Sequence, residues 1–196
     1  MLKQFQPADI AALQQSRAGE TRLGQVQQYL NPLLPLADAL VSAQSRGARY
    51  ALVGIPEDIG PRANVGQGGA DLGFQAFLSR FINLQANSHL PASEILLVGT
   101  VDCSDLQLHS QGLVAQKDAD LEQLRQLCAA LDQRVCAVLK PIFDAGITPI
   151  VIGGGHNNAY PLLQALSLSS GQAVDAINLD PHGDFRLLEG RHSGNG

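Results

Sequence analysis

The amino-acid sequence predicts an α/β fold, a three-layer α/β/α arrangement with a mainly parallel sheet. Short apolar runs of strand length alternate at least three times with longer segments of helical periodicity, which is the pattern of strands joined by crossover helices. The apolar runs are nearly continuous, as is typical of parallel strands buried on both faces. At 196 residues, the chain is long enough for one sizeable core.

Four apolar runs are the predicted strands. They cover residues 49–55, 94–101, 149–152 and 176–179. Each run stops at glycine, proline or acidic residues, which are depleted in strands. The last two runs stop at residues that can bind a metal ion, and the carboxyl end of a parallel sheet is where ligands usually bind.

Three segments between and around these runs are predicted helices. The clearest covers residues 118–145, where apolar side chains recur every three or four positions up to Gly146, at Leu121, Leu124, Cys128, Leu131, Val135, Val138, Leu139 and Ile142. Shorter helices are predicted at 74–81 and 159–166, and Asn157 or Asn158 is expected to cap the second of these. The phenylalanines of the first helix form a core-facing stripe.

Residues 1–47 are predicted to form an N-terminal helical extension. Apolar residues between positions 25 and 40 recur at helical spacing, interrupted by Pro32 and Pro35, which should break or kink a helix. We expect this extension to pack on the domain or on a partner subunit, and a loosely attached helical arm is the alternative. The domain itself then covers residues 48–196.

Composition excludes several classes of partner. The net charge of −5 provides no basic surface, so we expect no nucleic-acid partner. No apolar run reaches the roughly 18 residues that a membrane span needs, and no signal peptide opens the chain. Three cysteines without metal-ligand spacing favour a reducing, cytoplasmic compartment, with Cys128 and Cys136 as small core residues.

The candidate chemistry lies at the ends of the last two predicted strands. The second of them runs into the sequence DPHGD at 180–184. In an extended backbone, side chains at positions i, i+2 and i+4 point to the same side, so Asp180, His182 and Asp184 can converge. The preceding strand runs into GGGH, which places His156 at the neighbouring strand end.

Imidazole and carboxylate donors together suit divalent ions such as Mn²⁺, Mg²⁺ or Zn²⁺. The sequence therefore predicts a metal site formed by His156, Asp180, His182 and Asp184. The alternative is that these are turn residues with ordinary surface roles.

The two motifs resemble the GGDH and DAHxD signatures of the ureohydrolases, the arginase–agmatinase–formimidoylglutamase superfamily. The glycine-rich stretch GIPEDIGPRANVGQGGA at 54–70 and the SGN stretch at 193–195 also resemble that superfamily. The resemblance covers residues 48–196. It implies an arginase-like fold, incomplete at the C-terminus, with 48–196 as the N-terminal portion of a metallohydrolase domain.

The resemblance also implies a function. Ureohydrolases hold two Mn²⁺ ions, and a hydroxide that bridges the ions attacks a C–N bond of a guanidino or formimino substrate. The positions of His156, Asp180 and Asp184 would hold one ion and those of Asp180 and His182 the other, with Asp180 bridging. A formimidoylglutamase-like enzyme is the first expectation, followed by arginase or agmatinase, and a homo-oligomer is expected.

Residues near position 196 are assigned by resemblance as well. Ser193 and Asn195 match residues that hold the α-carboxylate of the small-molecule substrate. His192 is expected either to shuttle protons or contact substrate, or to be an ordinary histidine of a terminal loop.

Two departures keep other functions open. GGGH lacks the acidic residue of GGDH, and a second aspartate cluster of the superfamily would lie beyond Gly196. We therefore expect the chain to be a fragment or a natural truncation that binds metal weakly or lacks activity. A non-catalytic, metal-binding or oligomer-forming domain is the alternative, and a single-zinc deacetylase of similar fold is disfavoured by His156 and Asp184.

Overall fold

The computed structural model describes residues 1–184 and shows an α/β fold. Its strands are β1 (Leu2–Gln4), β2 (Gln28–Tyr29), β3 (Tyr50–Gly54), β4 (Ile95–Val101) and β5 (Thr148–Ile152). They form one sheet in the order β1-β4-β3-β5, with β2 also paired to β4. All pairs are parallel except that of β1 with β4, which confirms the predicted mainly parallel sheet.

Eight helices accompany the sheet in this part of the chain. They are α1 (Pro7–Ala11), α2 (Leu23–Val26), α3 (Leu36–Ser45), α4 (Ile59–Ala63), α5 (Gly73–Phe81), α6 (Ser104–Ser110), α7 (Asp118–Asp144) and α8 (Ala159–Ser170). The predicted helices at 74–81, 118–145 and 159–166 are confirmed as α5, α7 and α8. The glycine-rich stretch at 54–70 contains the short helix α4.

The strands bury both faces, and helices cover each of them. Ala51 and Val53 of β3 belong to a large cluster packed with α3, α4, α7 and α8. Leu52, between them, packs on the opposite face with α1 and α5, where Phe74 and Leu78 are buried. Alternate side chains of one strand therefore enter two cores, as a three-layer fold requires.

Residues 1–47 contain strands as well as the expected helices. Strand β1 pairs antiparallel with the end of β4, with Leu2 opposite Val101. The Lys3 ammonium lies 2.9 Å from the Asp102 carboxylate, and Gly99 leaves room for the backbone of β1. Residues 2–4 have no alternating apolar pattern, so this strand was not predicted from the sequence. It forms because it pairs with β4. The boundary at residue 48 stays a prediction.

The predicted strand at 176–179 is wrong. These residues are irregular, and the side chains of Ile177 and Leu179 are fully exposed, at 100% and 102%. Strands of this length are not stable without a neighbour. Within residues 1–184, β5 pairs only with β3, and no strand lies beside 176–179.

Replacing both Ile177 and Leu179 by serine is expected to change the free energy of unfolding by less than about 0.5 kcal/mol, because neither side chain is packed. Urea denaturation measures the change. The control is Ile142→Ser in α7, where the side chain is fully buried and a loss of about 2–5 kcal/mol is expected. A comparable loss in the double variant would mean that residues 176–179 pack against the domain.

The cysteines are buried and free within the fold. Cys128 and Cys136 lie in α7, as predicted for core residues, and Cys103 follows β4. Burial raises the pKa of the Cys103 thiol to about 12 and also raises the pKa of Cys128. These thiols are therefore protonated packing groups at neutral pH. Among the helices of residues 1–184, none is long and apolar enough to cross a membrane.

Candidate metal centre

His156 follows the end of β5, where the chain turns sharply. Gly153 and Gly154 have φ angles of +93° and +71°, a region that glycine adopts without steric cost. The backbone then enters a 3₁₀ turn, His156–Asn158. The glycines thus place His156 at the carboxyl edge of the sheet, as the sequence predicted.

The DPHGD segment forms a turn, and the expected extended geometry is wrong. The Asp180 carboxylate accepts a hydrogen bond from the backbone N–H of His182 (2.8 Å), the pattern of an Asx turn. Asp184 has a φ of +54°, which aspartate tolerates better than most residues. The turn still gathers the predicted groups, because one ligand atom each of Asp180, His182 and Asp184 lies within 4.8 Å of the others.

The two segments meet at this edge. His156 Nδ1 lies 3.2 Å from Asp184 Oδ2, and His182 Nδ1 lies 3.1 Å from Asp180 Oδ1. Adjacent donors in an octahedral site with bonds of about 2.1 Å are separated by about 3 Å. The structure therefore places His156 next to Asp184 and His182 next to Asp180, and only the last three of these side chains, those of the DPHGD turn, lie mutually within 4.8 Å. Their role as metal ligands stays a prediction.

Exposure and hydrogen bonding differ among the four side chains. The Asp184 side chain is 19% exposed and accepts a hydrogen bond from Asn178 Nδ2 (2.9 Å), whereas the His182 side chain is 80% exposed. The backbone N–H of His182 lowers the pKa of the Asp180 carboxyl, because it stabilises the charged form. Asp180 is therefore ionised at neutral pH, as a cation ligand must be.

Sequence reasoning missed the groups that support this edge. Glu57, just after β3, is fully buried, and its carboxylate accepts hydrogen bonds from the Gly155 backbone and the Asn158 side chain. A carboxylate directly after a buried strand was the available signal. Asn158 is the N-cap residue of α8, as predicted, but its side chain makes no capping hydrogen bond and is buried, as is that of Asn157.

Three predicted residues, His192, Ser193 and Asn195, lie outside the described residues 1–184. Their proposed contacts with substrate stay predictions.

Comparison with known protein families identifies the family to which the chain belongs. The family model described as the arginase family matches residues 48–196. The chain belongs to the arginase family. Its membership of the ureohydrolase superfamily, implied by the GGGH and DPHGD motifs, is thereby confirmed.

Curated relatives of the chain include formimidoylglutamases of several bacteria. The chain is 31% identical to that of Chromobacterium violaceum over 145 residues, covering 74% of this chain and 40% of the relative. It is 31% identical over 154 residues to that of Streptococcus gordonii and 29% identical over 154 residues to that of a Streptococcus pyogenes strain of serotype M3. The chain thus spans about 40% of the length of these relatives.

Proposed function

We propose that this arginase-family chain carries part of the active site of a hydrolase that cleaves a C–N bond in a formimino substrate. The convergence of two imidazoles and two carboxylates at one sheet edge is the observation that carries the proposal. The names of the relatives favour N-formimidoyl-L-glutamate over the guanidino compounds arginine and agmatine.

The cofactor in this proposal is a pair of Mn²⁺ ions. Arginase-family proteins generally use a binuclear metal site, and the nitrogen and oxygen donors present suit a hard or borderline divalent ion. His156, Asp180 and Asp184 would hold one ion, and Asp180 with His182 would hold the other. Two such ions supply a water whose pKa is lowered toward neutrality.

Contacts within this chain would orient the proposed ligands. The hydrogen bond from Asn178 holds the Asp184 carboxylate toward His156, and the Asx turn holds Asp180 beside His182. Exposed His182 leaves this side of the site open to an approaching substrate. Water adds to the formimino carbon, and the glutamate amine leaves with a proton, so that formamide and glutamate are the products. Ser193 and Asn195 are proposed to hold the α-carboxylate.

The test supplies the protein with Mn²⁺ and each of three substrates, N-formimidoyl-L-glutamate, arginine and agmatine. We expect glutamate release from the first to exceed urea release from the other two, and EDTA or Asp184→Asn to abolish it. Urea release from arginine or agmatine that exceeds glutamate release would contradict the formimino assignment.

A non-catalytic, metal-binding or oligomer-forming domain is the second candidate. A specific observation favours it. Within residues 1–184, three candidate ligands of the DPHGD turn lie mutually within 4.8 Å and His156 adds a contact to one of them, Asp184, which are few ligands for two ions. Metal binding with stoichiometry near one ion per chain and no turnover would support it. Two bound ions with turnover would exclude it.

The proposal includes a cytoplasmic setting and a homo-oligomer. The three free, buried cysteines support a reducing compartment. Light scattering on the purified protein measures the oligomeric state.

A further inference from the structure

A buried carboxyl group, that of Glu57, contacts the turn that contains His156. Glu57 follows β3 at the same sheet edge, and its side chain is fully buried. Carboxylates are rarely buried this completely unless hydrogen bonds replace the lost water. One oxygen, Oε2, accepts from the Gly60 backbone N–H (3.0 Å), and the other, Oε1, accepts from the Gly155 N–H and Asn158 Nδ2, each at 2.6 Å.

Asn157 adds a further donor to this carboxyl group. With its amide oriented so that the NH₂ faces Glu57, the Asn157 nitrogen lies 3.3 Å from Glu57 Oε1 and 3.2 Å from the Gly155 carbonyl. The donors come from two segments, the start of α4 and the turn that follows β5. Glu57 therefore ties these two segments to the end of β3.

The glycines of the turn are packed onto this carboxyl group. A Cβ on Gly154 would lie 2.6 Å from Glu57 Oε1 and 2.8 Å from the Ile55 carbonyl oxygen. A Cβ on Gly155 would collide with the Pro61 ring. The backbone of Gly154 and Gly155 therefore packs closely against Glu57 and its neighbours, which restricts the conformation of the turn that leads to His156.

We propose that Glu57 is a positioning residue, which fixes the turn so that the His156 imidazole is presented to Asp184. The N–H···O bond from Gly155 to Glu57 fixes the Gly154–Gly155 peptide, one residue before His156, and so restricts the path of the backbone into His156. The 3.2 Å approach of His156 Nδ1 to Asp184 Oδ2 depends on this path. The effect on metal binding rests on the proposed function, whereas the effect on the turn does not.

Glu57→Gln tests the inference, because glutamine has the same shape but only one acceptor oxygen, and its NH₂ group would face a donor. Asp58→Asn is the matched control. Asp58 is the next residue, and its carboxylate also accepts a hydrogen bond from a glycine, the backbone N–H of Gly69 (3.0 Å). Asp58 is further hydrogen-bonded to Gln107 and forms an ion pair with Arg62. Calorimetry measures the Mn²⁺ dissociation constant, and ¹H–¹⁵N spectra of the metal-free protein report on the turn.

We expect Glu57→Gln to raise the Mn²⁺ dissociation constant roughly 10- to 100-fold, while Asp58→Asn changes it by less than about twofold. In metal-free protein, the Gly155 amide and the His156 ring resonances should move in Glu57→Gln and stay in place in Asp58→Asn. A folded Glu57→Gln variant with wild-type resonances and wild-type affinity would overturn the inference.

Two further outcomes separate this inference from the proposed function. If the wild-type protein binds no Mn²⁺, the metal site fails, and the metal-free spectra still decide whether Glu57 positions His156. If Glu57→Gln does not fold, Glu57→Asp makes the same comparison, because its shorter side chain cannot span Gly60 and Gly155. Wild-type affinity and resonances in Glu57→Asp would show that the span is not required and would refute the inference.

Discussion

Replacing Asp180 by alanine is expected to weaken Mn²⁺ binding by more than about 100-fold. Loss of a residue that merely hydrogen-bonds to a metal ligand lowers metal affinity roughly 10- to 100-fold, and Asp180 is itself a proposed ligand. Asp180 is the one residue proposed to contact both ions. The substitution also removes the acceptor that holds the His182 backbone in its turn. Both the charge and the local geometry are therefore lost together.

Asp175→Ala is the control for this variant. Asp175 is an exposed aspartate of the same segment, so its replacement removes the same charge without touching the proposed ligands. Equilibrium dialysis followed by elemental analysis measures the metal retained by each protein. Equal retention in Asp180→Ala and Asp175→Ala would remove Asp180 from the site.

Replacing Phe74 by alanine is expected to lower the free energy of unfolding by about 3–5 kcal/mol. Phe74 is 2% exposed at the start of α5, and its ring stacks on that of Phe5 with centroids 6.0 Å apart. The ring also fills the space above Gly54 of β3, where a Cβ would collide with it. Its loss leaves a cavity in the smaller of the two cores, which the neighbouring backbone cannot close.

Phe77→Ala in the same helix is the comparison. Phe77 is half-buried and stacks on Phe81, with ring centroids 5.2 Å apart, at the margin of this core. Because less apolar surface is buried there, we expect less than half of the loss caused by Phe74→Ala. Urea denaturation of both variants measures the difference, and equal losses would contradict the described packing of α5.

Much of the fold could be predicted because buried helices and strands have recognisable patterns of apolar residues in the sequence. Helix α7 was predicted from apolar residues three or four positions apart, and strand β3 from a nearly continuous apolar run; both patterns follow from the faces that pack. The run at 176–179 has the same local signal, but a strand also needs a neighbour, which spacing does not report. Strand β1 shows the reverse case, because pairing with β4 creates a strand from residues with no apolar pattern.

The candidate site was predictable where a short motif consists of residues that can bind a metal ion. Carboxylate and imidazole groups at 180–184 and at His156 were recognised from residue type and spacing, although a turn gathers the first group. Glu57 was missed because its importance lies in contacts with Gly155 and Asn158, about one hundred positions away. Such contacts exist only once β3 and β5 lie side by side.

The most direct test of the central claim is paramagnetic broadening of histidine ring resonances during a Mn²⁺ titration, with Mg²⁺ as the diamagnetic control. His89 precedes β4, at the opposite edge of the sheet, and serves as the internal reference. We predict that the ring signals of His156 and His182 broaden together at low Mn²⁺, while His89 stays sharp. Broadening of His182 without His156 would show that the two strand ends do not share a metal centre.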